Sequence, residues 1–107
     1  MANARLSVQD KATRGEVVPV RLAILHAMET GFRRDIDGRA ITRNVIRFVA
    51  CRYAGREVWR ADLSSGISAN PYFEFFFRAD MSGELELTWE DDSMEKGLIR
   101  ARIEVAG

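Results

Sequence analysis

Within ten residues, His26-Ala-Met-Glu-Thr-Gly-Phe-Arg-Arg-Asp35, the chain places its one histidine beside a methionine, two carboxylates and two arginines. Those residue types serve general acid–base chemistry, metal binding or nucleophile activation. Nucleophilic catalysis needs a nucleophile, a base and an orienting group in contact. His26 is the sole imidazole, and neither a Gly-x-Ser-x-Gly elbow nor a cysteine motif accompanies it. One histidine and one cysteine cannot build a zinc site. Asp35-Ile-Asp-Gly38 opens like a calcium loop, but position 44, where the bidentate glutamate belongs, is Asn44. The segment reads as a turn, and His26 as a hydrogen-bonded residue at a strand end.

Cys51 lies mid-strand in Phe48-Val-Ala-Cys-Arg-Tyr53. A free cysteine is most often a small buried hydrophobe; the alternative is an interface thiol against a partner. Tyr72 and Phe76 share the Glu74 and Arg78 face of a strand whose other face is Phe73, Phe75 and Phe77. Two aromatics on an otherwise polar face point to a protein interface.

The elements that position these residues follow from period-2 alternation. Strands are predicted over Glu16 to Leu25, with Pro19 near its start or on an edge. Others are predicted over Asn44 to Tyr53, Arg56 to Leu63, Tyr72 to Asp80, Glu84 to Glu90 and Ile99 to Val105. Residues 3–10 are a seventh if they pair. Ala54-Gly55 suits a tight hairpin. Ile46, Phe48 and Ala50 oppose Val49, Cys51 and Tyr53, so this strand is expected to be covered on both faces. No helical stripe persists. The expected fold is all-β, an immunoglobulin-like antiparallel β-sandwich of about seven strands, with residues 1–14 as a polar N-terminal arm and residues 15–107 as one domain.

The 107 residues suffice for one core, being 47% hydrophobic. Sixteen basic residues balance sixteen acidic ones, which speaks against a nucleic-acid binder. No apolar run reaches the roughly 20 residues of a membrane span, and Met1 to Asp10 lacks the apolar core of a secretory signal. The charges are segregated: eight arginines against Asp35, Asp37 and Glu57 from Arg33 to Arg60, then seven acidic residues and no basic one from Asp80 to Glu95. They are expected to be two faces that attract one another across the fold, or fields that steer protein partners.

Several blocks carry a resemblance. His26-Ala-Met-Glu-Thr-Gly-Phe-Arg-Arg-Asp, Ile41-Thr-Arg, Phe48 to Trp59, Ala61-Asp-Leu, Ile67-Ser-Ala-Asn-Pro-Tyr-Phe73, Gly83 and Leu85 to Asp91 resemble, in order, the SoxZ subunit family of the SoxYZ carrier complex. The likeness covers residues 15 to 105. Ala27 and Thr42 replace usual prolines, Ala54 replaces the asparagine of an Asn-Gly turn, and Asp92 to Gly97 departs from the usual turn.

The resemblance implies a non-catalytic, cofactor-free, periplasmic subunit exported with its partner. That partner is a SoxY-type subunit carrying the sulfur substrate on a cysteine in a Gly-Gly-Cys-Gly-Gly arm. The loaded pair meets SoxAX, SoxB and SoxCD during thiosulfate oxidation. Ending in Glu-Val-Ala-Gly, this chain is expected not to bear the sulfur. Isolated, such a subunit is free to form a homodimer.

Candidate partner-contact residues are Met28, Glu29, Thr30, Arg33 and Arg34 in one loop, Asn70 and Tyr72 at a corner, and Phe76. The competing reading is an unrelated immunoglobulin-like binding module; a thiol enzyme built on Cys51 is a third.

Overall fold

The computed structural model describes residues 3–64 and 66–107. Eight strands form two sheets: β1 (Ala4–Ser7), β2 (Lys11–Thr13), β3 (Glu16–Ile24), β4 (Ile46–Tyr53), β5 (Arg56–Asp62), β6 (Tyr72–Ala79), β7 (Gly83–Asp91) and β8 (Lys96–Ala106). One sheet has the order β1-β3-β6 and the other β2-β8-β7-β4-β5. The fold is the expected all-β sandwich.

Alternation builds the core. Val18, Val20, Leu22 and Ile24 of β3 and Phe75, Phe77 and Ala79 of β6 point inward. They meet Val49, Cys51 and Tyr53 of β4, Leu85, Leu87 and Trp89 of β7, and Ile103 of β8. Trp59 closes the β5 side, stacked on Phe75 with ring centroids 4.2 Å apart. The Tyr53 hydroxyl accepts from the amides of Asp80 and Met81 at 3.2 and 3.0 Å and donates to the Met81 carbonyl, so it is fully bonded at the β6–β7 corner.

Five features differ from the sequence reading or refine it. Residues 4–7 and 11–13, within the segment expected as an arm, are strands, β1 pairing with β3 and β2 with β8. Their backbone groups complete sheet edges, which little in a short polar sequence announces. The β2–β8 pair is parallel, so the sandwich is not purely antiparallel. A register shift between Ile46 and Phe48 turns Ile46 into the core. The outer face of β4 is not roofed by another layer; Phe48 lies under the Arg60 guanidinium, 4.5 Å from its ring centroid. Pro19 falls where β1 has already ended at Ser7↔Arg21, so β3 has a neighbour there only on the β6 side.

The two charge blocks attract each other. β4 and β7 are neighbours; Arg47 pairs with Glu90, and Arg43 Nε lies 3.4 Å from Asp92 Oδ2.

Candidate functional site

His26 follows β3, and its ring spans the sandwich edge to the end of β7. The Met28 amide donates to Nδ1 at 3.0 Å, so Nδ1 is the acceptor and Nε2 carries the proton that meets Asp91 Oδ2 at 3.1 Å. Asp91 Oδ1 accepts from the Ser93 amide and hydroxyl at 3.0 and 2.7 Å and from the Glu95 amide at 3.0 Å. Burial alone pushes this carboxyl's pKa up, but the hydrogen bonds from Ser93, His26 and Glu95 outweigh it and hold it below the ordinary value. Both imidazole nitrogens are committed to this corner. The arrangement fastens the loop after β3 to the β7–β8 turn, 65 residues away; a base must have a nitrogen free to take a proton.

Met28 is a correction to the candidate surface. It adopts φ +53°, and its side chain is buried at 4% exposure, with Sδ accepting from the Ile46 amide at 3.4 Å. The turn imposed by His26 swings Met28 inward, so it anchors the loop and offers a partner nothing directly. Asn70, with φ +52°, is exposed but employed: Oδ1 accepts from the His26 amide at 3.0 Å, and its own amide donates to the His26 carbonyl at 2.7 Å. Cys51 follows its first reading, a small buried hydrophobe, and not the alternative of an interface thiol. It is fully buried, and burial raises its pKa to about 12. A strand position facing the sheet interior keeps this thiol from any interface.

The remaining loop residues form a finger. Glu29 and Asn44 exchange backbone bonds at 2.8 and 2.9 Å at its base. Half-buried Thr30 offers Oγ1 to the Phe32 amide at 3.4 Å. Arg33 donates twice to Glu29, at 3.0 and 3.1 Å. Arg34 bridges Ala40 and donates to the Gly38 carbonyl at 3.0 Å. At the tip Asp35 Oδ1 accepts from the amides of Asp37 and Arg39, both at 2.9 Å, so this carboxylate builds the turn read from the sequence. Residues 32–40 are all exposed, and Phe32 and Ile36 are apolar side chains at 87% and 100% exposure. The sequence reading had them in the loop without marking either: nothing in the alternation says that a hairpin stands off the sandwich.

Tyr72 and Phe76 lie on the outward face of β6, 60% and 59% exposed, as their alternation predicts. Among the described residues no three histidine, cysteine or acidic side chains cluster as a metal site.

The geometry thus joins the loop candidates Glu29, Thr30, Arg33 and Arg34 in one structured projection and leaves Tyr72 and Phe76 on a separate sheet face. The model of the family "Sulphur oxidation protein SoxZ" matches residues 5–100. The chain belongs to the SoxZ family.

No curated protein sequence matches it. Solved structures similar in fold include a superoxide reductase (neelaredoxin) from Ignicoccus hospitalis, with a TM-score of 0.76 at 17% identity over 96% of this chain and 79% of that one. The sulfur carrier protein SoxY from Chlorobium limicola f thiosulfatophilum gives 0.64 at 13% identity, covering 97% and 79%. A superoxide reductase (neelaredoxin) from Archaeoglobus fulgidus, in the reduced form, gives 0.58 at 17%, covering 94% and 86%. At these identities the likeness is one of fold. A SoxZ-family chain therefore shares its sandwich both with a sulfur carrier protein and with reductases, and fold by itself does not choose between them.

Proposed function

We propose that this chain is the non-catalytic half of a SoxYZ-type carrier. It pairs with a SoxY-type subunit, and the sulfur substrate rides on that subunit's cysteine arm. The observation that carries the reading is the SoxZ family match over residues 5–100. Two features support it: both nitrogens of the lone histidine are used in holding a corner, and the one thiol is buried at a pKa of about 12. The chain contributes a rigid base for the carrier, and its finger, with Ile36 at the tip, meets the enzymes SoxAX, SoxB and SoxCD as the loaded pair visits them. Exposed structured loops on a firm scaffold are where such contacts concentrate. The pair works in the periplasm, which cell fractionation of the tagged complex checks.

The test of the reading is co-expression with a SoxY-type subunit, followed by size-exclusion chromatography with mass determination. A 1:1 complex is expected; two separately eluting proteins would overturn the assignment.

A further inference from the structure

The two outward faces of the sandwich carry different chemistry. On the five-stranded sheet the outward residues are mostly charged and pair with one another, around an exposed Leu98 and a Phe48 covered by Arg60. Arg100 Nε lies 3.1 Å from Glu86 Oε2 and 3.6 Å from Glu84 Oε1, and Arg102 Nε lies 2.6 Å from Glu104 Oε1. Arg47 and Lys96 both pair with Glu90. Such a face is satisfied in water.

The three-stranded sheet is different. Outward on β3 and β6, the register sets Pro19 against Phe76 and Ala23 against Tyr72, with Arg21 against Glu74 between them. Val17, Leu25, Tyr72 and Phe76 are between 53% and 60% exposed. A single ion pair, Arg21 Nε to Glu74 Oε2 at 2.7 Å, divides the two apolar pairs. Beside Phe76, past the edge of β6, Val58 and Met81 line a cleft of about 520 Å³ together with Arg56, Arg78 and Asp80.

We infer that the outward face of β3 and β6 is where the chain seats its carrier partner, with Tyr72 and Phe76 as aromatic anchors around the Arg21–Glu74 pair. The inference rests on the carrier reading above and names the surface it uses. Two arguments choose a sandwich of the same fold as the occupant. The outward side chains of a sheet face pack well on another sheet face, at about 10 Å between sheets. The SoxY protein from Chlorobium limicola f thiosulfatophilum has this fold. The face is also positively charged, with Arg5, Arg21 and Arg78 standing outward against Glu74, so the partner face it fits carries acidic residues around an apolar centre. Aromatic anchors in a desolvated centre are also what dominates protein–protein affinity.

Thiol footprinting tests this, because the chain's own Cys51 is buried and serves as a silent background. Phe76→Cys and Leu98→Cys place reporters on opposite faces, at positions 59% and 50% exposed. Each is labelled with a maleimide in the isolated chain and in the complex with a SoxY-type subunit. Position 76 is expected to label at least ten-fold more slowly in the complex, and position 98 at the same rate in both states. A second variant, Phe76→Arg, is expected to weaken the complex at least 30-fold with an unchanged thermal midpoint, while Ile36→Arg on the finger leaves affinity within two-fold. Equal labelling at position 76 in the two states, protection at position 98 instead, or loss of pairing with Ile36→Arg alone would overturn the inference. So would an isolated chain that already protects position 76 as a homodimer and gains nothing from the partner. If the wild-type chain forms no complex at all, the carrier reading itself fails, a result distinct from a complex built on another face.

Discussion

His26 and Asp91 set the residue scale, because what looks like half a catalytic pair is a fastener. Asp91 is almost completely buried and accepts four hydrogen bonds, three on one oxygen and one on the other. Its folded-state pKa lies below the ordinary 3.8, so the folded state binds this proton more weakly than the unfolded chain does. The resulting stabilisation is fully present above that ordinary value and is lost as pH falls through the lower folded-state value. Urea unfolding at pH 7 should show Asp91→Asn less stable by about 2–3 kcal/mol, since bonds to a charged acceptor are the stronger kind. The same titration carried down towards pH 3 should show a shallower acid limb for the variant than for the wild type. An unchanged limb would mean that the carboxylate is not what holds the corner. None of this was legible locally: the sequence marked His26 as structural, but its partner lies 65 residues away, and only the packing of the β3 end on the β7 end brings them together.

At the scale of elements, two turns and pairings make sharp demands. Ala54 and Gly55 connect β4 to β5 with φ of +51° and +81°. A two-residue hairpin with both φ positive is the type I′ turn, which favours Asn-Gly, and alanine in the left-handed region costs about 1 kcal/mol. Ala54→Asn supplies the residue that type I′ turns favour there and should raise stability by about 0.5–1 kcal/mol, read as a higher urea midpoint with an unchanged slope. Gly97 has the opposite constraint. It pairs with Trp89 across β7 and β8, and a Cβ there would lie 2.0 Å from the indole. Gly97→Ala should therefore cost about 1–3 kcal/mol through overpacking, with a lower thermal midpoint and a changed near-ultraviolet tryptophan signal. The strands around these turns were readable, because one buried face enforces alternation over Tyr72–Ala79, Gly83–Asp91 and Lys96–Ala106. β1 and β2 were less so, since strands of four and three residues gain their pairing from edges already in place.

Taken whole, the protein is 61 Å long and 19 Å across, with a radius of gyration of 16.2 Å. A compact chain of this size would have about 13 Å. Elongation separates its surfaces: the finger with Ile36 extends from the β3–β4 connection, while the Tyr72–Phe76 face lies along the three-stranded sheet. A carrier that must hold one partner and meet several enzymes in turn gains from such separation. Ile36→Ser should leave the melting temperature essentially unchanged, because a fully exposed side chain has no packing to lose. It should also leave pairing with a SoxY-type subunit intact while lowering thiosulfate oxidation in a reconstituted Sox system by at least several-fold. Equal turnover would remove the finger from enzyme docking.

By itself the sequence determined the sandwich and the family, because alternation and the order of its residue blocks are properties of the chain alone. Tertiary structure decided the rest. It turned Met28 inward, sealed Cys51, matched the arginine block to the acidic block across β4 and β7, raised Ile36 on a finger and left Phe76 and Tyr72 on an unshared face. Each of these depends on which distant strand becomes a neighbour, and strand pairing joins residues whose separation along the chain carries no signal of their contact.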